Sequence, residues 1–462
     1  MKTADRTELF ERKPIRSAVL SLAIPTIISQ LITVIYNLVD TFFVGQLGDP
    51  AQVAAVVVSM PAFILLTGIA NLFGIGGASL TSRALGAQDE QKAKYVTSFC
   101  IWGALITGAI YGLLFTLFKP ALLPFLGAKA DTFDFAYQYI FWTTTIGGIP
   151  TIMNALLAHL VRTEGASKQA GFGVALGGLL NVALDPLLMF GFGLGLNGAA
   201  IATMLSNCIA VFYFLAVIYR RRSTTVVSFR PYAASLHDHI PREVVLVGMP
   251  GFVMTLMSVV SNVTLTRLIS SYSTTAVAGM GIAKKIDTMA FSISQGLAQG
   301  VLPLLGYNYA AGNGKRINEA IRFTLIFGLI LTLSMMFGLY LFAPQITNCF
   351  INDGETVRYG SSFLRIICFV CPTTCVNFLV ITIFQAIGRK VQPLVLSMMR
   401  KGIIDLPLMF LFNGISGLIG IAWAIPIADW ICFVVSIFMV VPYLKYFRTV
   451  SQPAPAVTAG LE

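Results

Sequence analysis

Charge is scarce in this 462-residue sequence: Asp, Glu, Lys and Arg together make up 11% of it, while apolar residues make up 56%. With a mean hydropathy of +0.81, it falls outside the range of any water-soluble globular domain of this length. Histidine is rarer still. There are three, and His159, His237 and His239 sit at the ends of apolar runs or in a polar stretch, so no catalytic set can be assembled and the chain is not expected to be an enzyme. Cys100, Cys208, Cys349 and Cys432 are scattered, which excludes a disulfide framework. Cys368, Cys371 and Cys375 share a helical spacing inside one apolar run, where thiols serve as small core fillers more readily than as metal ligands. Gly312-Asn313-Gly314-Lys315 lacks both the leading glycine and the Ser or Thr of a phosphate-binding loop, so nucleotide-driven work would need a partner chain. No resident cofactor and no obligate protein partner are called for.

What is present is apolar length. A bilayer crossing by a helix needs about 20 residues, and twelve runs of that order are separated by short polar breaks, approximately at 18–44, 51–81, 95–118, 133–157, 170–191, 195–219, 243–270, 276–307, 318–342, 358–385, 391–412 and 415–443. Continuous runs of this kind are a helical pattern and not the weak alternation of a membrane barrel. The expected architecture is therefore an all-α integral membrane protein with twelve transmembrane helices.

The few charges are distributed unevenly. Lys2, Arg6, Arg12, Lys13 and Arg16 precede the first run, and the segment 1–17 reads as a cytoplasmic signal anchor with no cleavage. On the same side fall Arg83, Lys92 and Lys94, then Arg162 and Lys168, then five arginines between Arg220 and Arg242. Lys315, Arg316, Arg389, Lys390, Lys445 and Arg448 follow there, against Lys119, Lys129 and Arg358 opposite. The positive-inside rule then makes both termini cytoplasmic and the number of spans even. In bacterial terms this is a multi-pass protein of the cytoplasmic (inner) membrane. The net charge of +11 is absorbed by topology and is no signal for nucleic acid. The Pro- and Ala-rich stretch Ser451–Glu462 reads as disordered, within a cytoplasmic tail 444–462.

The chain repeats itself. Ile24-Pro25 and Asn37 recur as Met249-Pro250 and Asn262, both 225 residues on. Ala84-Leu85-Gly86-Ala87 matches Ala310-Ala311-Gly312-Asn313, Gly165 matches Gly388, Leu184-Asp185-Pro186 roughly matches Asp405-Leu406-Pro407, and Leu196-Asn197-Gly198 matches Leu418-Ile419-Gly420. A repeat of six spans enters the membrane in the same sense twice, which implies two pseudo-symmetric parallel six-helix lobes, 18–219 and 243–443, joined by a cytoplasmic linker at 220–242. Substrate would then be expected between them, near mid-membrane.

Against that background a few polar residues are conspicuous. An aspartate inside a spanning helix costs about 2.5–3.5 kcal/mol on insertion scales and usually faces a cavity or a partner. Asp185 is one, followed by Pro186, which cannot donate to the helix ladder, and preceded one turn earlier by Asn181 on the same face. Asp40 is another, with Tyr36 and Asn37 one turn before it. Thr203 and Asn207, four apart, stand in the sixth run. If the first, fifth and sixth spans pack together, Asp40, Asn181, Asp185 and Thr203 would surround a hard cation with oxygen ligands. The pair could instead hold a proton, since burial and a neighbouring like charge both disfavour an ionised carboxyl. The plainer alternative is that each acid is a helix-packing hydrogen bonder.

At this point the residues resemble a known family. Val39-Asp40-Thr41-Phe42-Phe43-Val44-Gly45, the run Asn181–Pro186, the turn Arg162–Gly165 and the stretch Gly306–Asn313 are similar to the multidrug and toxic compound extruders, the MATE family, in its bacterial MepA-like branch. The resemblance covers essentially the whole chain. It implies a two-lobed twelve-helix antiporter that exports organic cations and amphipathic drugs in exchange for Na⁺ or H⁺. It also implies that Asp40, Asn181, Asp185 and Thr203 form the coupling site; Tyr36, Asn37, Pro186 and Asn207, placed beside them by helical spacing, are the supporting residues. If the ion is Na⁺, these four are its ligands. A different branch uses acids in the seventh and tenth spans, and Val253–Ile269 and Phe369–Ile387 contain none.

Two features remain. Gly74, Gly76 and Gly77 read as a close helix-packing surface. In the second half Arg267, Lys284, Lys285, Arg365, Arg400 and Lys401 lie within or beside spans, near Asp287, Asp405 and Asp429. Snorkelling and pairing such as Lys284 with Asp287 would account for most of them. If instead they line the substrate path they would favour an anionic or zwitterionic cargo, which sustains a rival reading as a flippase for a lipid-linked amphiphile. A non-transporting membrane scaffold is the remaining rival, and it has no use for paired intramembrane acids.

Overall fold

The computed structural model describes residues 7–237, 239–351 and 353–449. Lys2 and Arg6 of the leading segment and the stretch expected to be disordered, Ser451–Glu462, lie outside them. Among the described residues there are helices and turns and no strand. The first half contains α1 (Ile15–Gly45), α2 (Pro50–Gly86), α3 (Glu90–Leu117), α4 (Phe133–Ile140), α5 (Gly148–Thr163), α6 (Ser167–Pro186) and α7 (Gly195–Arg220). The second contains α8 (Ile240–Ser270), α9 (Thr274–Ala310), α10 (Gly314–Leu341), α11 (Gly354–Ile367), α12 (Val370–Ala386), α13 (Val391–Met398) and α14 (Asp405–Thr449).

Eight described helices are long and apolar enough to cross a bilayer, or ten if each of two bent pairs is one span. The last of the eight, Val391–Phe447, runs 57 residues, enough for two crossings, and breaks at Gly417, whose φ of 57° and ψ of −136° no helix contains. Helix α9 is 37 residues long but interrupts its apolar run with Lys284, Lys285, Asp287, Gln295 and Gln299, and so stands outside that set. The fourth and tenth expected spans are the bent pairs. Phe133–Ile146 meets α5 at 46°, and α11 meets α12 at 43°.

The chain divides into two compact units, and the division falls inside helices. Among the described residues, one unit comprises the chain up to Arg12 and Ile28–Thr255; the other comprises Lys13–Ile27 and the chain from Leu256 on. Helices α1 and α8 each belong to both.

Inside the first unit Leu66, Phe73, Ile101, Leu156, Leu157 and Phe214 form the main packed cluster, which also takes in Val244 of α8. Lipid tails are as apolar as these side chains, so close fit rather than escape from water holds them. Glycines provide the fit. A Cβ on Gly76 would sit 2.0 Å from the Val244 carbonyl oxygen, one on Gly248 1.8 Å from that of Leu72, and one on Gly77 2.5 Å from Cys100 Sγ. The stretch 221–230 lies against the same unit. Thr97 Oγ1 donates to the Val226 carbonyl (2.7 Å), Ser98 Oγ to that of Arg230 (2.6 Å), and Glu164 Oε1 accepts from Thr225 Oγ1 (2.7 Å) and the Val226 N–H (2.6 Å).

The second unit repeats the device. Leu265, Ile286, Phe363, Leu364, Cys371 and Ile421 are among its core residues. Gly296 and Gly300 of α9 admit the first half of α1 so closely that a Cβ on either would lie 2.8 Å from Ile27 Cα or Ala23 Cα. The turns repeat as well, in a register set by role and not by residue type. Gln88 (φ 61°) follows the cap of α2 and Gly312 (φ 71°) that of α9; then Asp89 and Asn313 cap the next helices by accepting from the N–H groups of Lys92 and Arg316. Gly312 therefore corresponds to Gln88 and not to Gly86, two residues away from where the similarity of composition puts it.

Candidate functional site

The site is built where α6 loses its regular ladder. Pro186 ends α6, and the chain continues as a wider turn through Leu187–Gly191, in which the Phe192 N–H reaches the Leu187 carbonyl five residues back at 2.9 Å. Turns of this kind inside helices accompany functional positions. Just before it, Asn181 and Asp185 share one face, and both are buried. Asn181 Nδ2 donates to Asp185 Oδ1 at 3.1 Å and to Thr203 Oγ1 of α7 at 3.3 Å.

From α1, the half-buried carboxyl of Asp40 lies within hydrogen-bonding reach of the carboxyl of Asp185. Gly178 on α6 leaves the room for this approach, since a Cβ there would sit 2.7 Å from the Tyr36 ring. Tyr36 is thereby within the electrostatic reach of both acids. Pro186 and Thr203 also fall in this region. Asn37 does not join it; its side chain is exposed, and its carbonyl only receives the Thr41 hydroxyl at 2.8 Å. The physical reason is the helix itself: three residues before Asp40 is one turn back but about 60° round the axis.

Two residues were not picked out by the sequence. Asn207 Nδ2 donates to the Thr203 carbonyl at 2.8 Å, and Asn207 Oδ1 accepts from Nδ2 of Asn154 in α5, also at 2.8 Å. Asn154 thus extends the polar chain from Asp185 through Asn181, Thr203 and Asn207 to a third helix. The criterion that exposed Asn181, an amide inside an apolar run, applies equally to Met153-Asn154-Ala155. Tyr139, following α4's first turns, lies near both carboxyls and Tyr36. No sequence signal marks it.

The electrostatic character of the group follows from what is left unsatisfied. Asp40 Oδ1, Asp185 Oδ2 and Asn181 Oδ1 are buried and meet no donor among the described residues. Buried acceptors without donors cost about 1–3 kcal/mol each, more for charged groups. Two carboxyls facing one another cannot satisfy each other while both are ionised. A proton or a small cation resolves both problems. No group of three or more His, Cys, Asp or Glu side chains gathers among the described residues, so the donors suit a hard monovalent ion or a proton better than a transition metal.

The MatE family model matches this chain twice, at residues 25–187 and 250–411. The chain belongs to the MATE family. The double match also confirms the internal repeat, since each half is a copy of one unit. "Multidrug export protein MepA" of Staphylococcus saprophyticus is 30% identical over 431 residues, covering 93% of this chain and 94% of that protein. The protein of the same description in Staphylococcus aureus strain MSSA476 is 28% identical over the same shares. Among solved structures, the "Outward-facing conformation of a multidrug resistance MATE family transporter of the MOP superfamily" superposes with TM-score 0.88 at 24% identity, over 97% of this chain and 100% of that one. "Crystal structure of MATE in the straight conformation" gives 0.87 at 22%. The fold is the MATE fold, and the protein is a multi-pass membrane transporter.

Proposed function

We propose that this MATE protein is a secondary multidrug exporter of the bacterial cytoplasmic membrane, with both termini cytoplasmic and two six-span lobes at 18–219 and 243–443. It exchanges organic cations and amphipathic drugs for Na⁺ or H⁺ by alternating access. The observation that carries the reading is the facing pair Asp40 and Asp185, with Asn181 bonded to both Asp185 and Thr203 and three buried oxygens lacking donors. The names of the relatives, multidrug export proteins, support the choice of cargo.

An ion entering this group neutralises the repulsion between the two carboxyls and draws α1 and α6 together. The wide turn after Pro186 is where α6 can yield. Ion and drug must bias the conformational equilibrium in opposite senses for exchange to occur, since each acts only through its differential affinity for the two states. The test is efflux of ethidium from cells or proteoliposomes with Na⁺ and pH gradients imposed separately, for wild type, Asp40→Asn and Asp185→Asn. Export by wild type under one of the two gradients, lost in both variants, is expected. Wild type exporting no cationic dye would remove the drug reading; normal export by both variants under every gradient would remove the coupling site.

A further inference from the structure

The second unit contains a recess that the coupling site does not use. A cavity of about 300 Å³ opens where the last turns of α8 meet the first half of α9. Leu265, Ile269 and Met280 give it an apolar wall, and Thr266, Lys284 and Lys285 give it a polar one. That volume is at the lower end of what ligand sites occupy.

The charges around it do not balance within the protein. Lys284 Nζ holds Asp287 at 2.6 Å, Arg400 holds Asp429, and Asp405 accepts from Ser261 Oγ. Lys401 lies in the electrostatic field of Lys284, Asp287, Arg400 and Asp405 but forms no ion pair among the described residues. Lys285 likewise meets no carboxylate among them, and it is exposed to the recess. Asp287 and Asp429 are paired, and Asp405 Oδ1 has no partner among the described residues, so four cations, Lys284, Lys285, Arg400 and Lys401, stand against three acids and one is in excess.

Depth makes this significant. Lys285 is eleven residues into α9, about 16 Å along the helix from its start, and the hydrocarbon is only about 30 Å thick. An ammonium there is costly unless it faces water or a counter-charge. A recess with an apolar wall and an unmatched cation has the complement of an acidic group on an apolar body.

We propose that this recess binds an amphiphile bearing a carboxylate or phosphate, with Lys285 as its charge partner and the wall of Leu265, Ile269 and Met280 receiving its apolar body. The chemistry is shared by two sources, an acidic or zwitterionic exported solute and an anionic bilayer lipid. The inference extends the export reading to a cargo class, but its test is a binding measurement and stands whether or not export is observed.

The full chain, in detergent and in phosphatidylcholine nanodiscs, is titrated into a carboxy-rhodamine and into its methyl ester, with fluorescence anisotropy as the readout. Wild type should prefer the acid, and Lys285→Gln should cut the acid-to-ester affinity ratio by about tenfold or more, as loss of one charge-assisted hydrogen bond implies. Lys285→Arg should keep it. Phosphatidylglycerol in the nanodiscs separates the sources: competition with the acid, abolished in Lys285→Gln, assigns the recess to lipid, and absence of competition assigns it to solute. An unchanged ratio in Lys285→Gln overturns the proposal, as does an equal loss of both rhodamines that Lys285→Arg fails to restore.

Discussion

Both units bury acids inside their helices and treat them in opposite ways. In the second, Asp429 is held by Arg400, Thr373, Thr374 and Asn377, and Arg400 packs over the rings of Phe378 and Phe291 at 4.9 and 5.5 Å. In the first, Asp40 and Asp185 face each other with an amide and a hydroxyl nearby, and among the described residues no cationic side chain is bonded to either. Around Asp429 the buried charge is met from within; at Asp40 and Asp185 it is left to be met by something that arrives and leaves. Two copies of one fold therefore differ in chemistry because of which charges remain open.

The contrast can be broken most severely at Arg400. Arg400→Met leaves Asp429 buried without its cation and should cost about 3–5 kcal/mol of stability, seen as a large fall in thermal unfolding temperature in detergent. Arg400→Met with Asp429→Leu should recover most of it. If the single variant unfolds like wild type, the second unit's charges are not internally paired in the way described.

Asp185→Asn should behave conversely. It removes the repulsion within the first unit, so the protein should remain as stable as wild type while ion-driven ethidium efflux falls by about tenfold or more, an estimate for loss of one charged contact. Loss of both stability and efflux would mean that Asp185 is a packing residue, and the contrast between the units would dissolve.

Two smaller effects sharpen the geometry. Gly178→Ala places a methyl against the Tyr36 ring and should cost about 1–3 kcal/mol as overpacking, whereas Gly338→Ala in α10, where a Cβ meets nothing within 4 Å, should be neutral or stabilising by about 0.5–1 kcal/mol. Paired unfolding curves decide this. Asn154→Ala removes the donor to Asn207 Oδ1 and should cost only about 1 kcal/mol. A double-mutant cycle with Asn207→Ala should show coupling of at least about 0.5 kcal/mol if the chain is continuous.

Much of this was legible in the sequence because the bilayer makes polarity expensive. An aspartate in an apolar run stands out whatever the fold, and Asp185, Asn181 and Thr203 were found that way. The same rule extends to Asn154, but one asparagine among apolar neighbours is a weaker signal than a carboxylate before a proline. Tyr139 carries no such mark, since tyrosines are common near membrane interfaces. The breaks at Gly147 and around Cys368–Phe369 were hidden for another reason: hydropathy counts residues along the chain and cannot register a bend of 46° or 43°. The turn register slipped by two because the left-handed position after α2 is filled by Gln88, while its counterpart is a glycine.

The boundary between the units has a consequence for cutting the chain. The obvious place to split it is the polar stretch at 220–242. A split there would give an N-terminal fragment holding Ile15–Ile27, which packs with the other unit, and a C-terminal fragment holding Ile240–Thr255, which packs with the first. Each fragment would carry a helical stub whose berth is on the other polypeptide. Neither half should fold alone, and the two should form a working protein only when made together, as a gene product that can be divided but not halved.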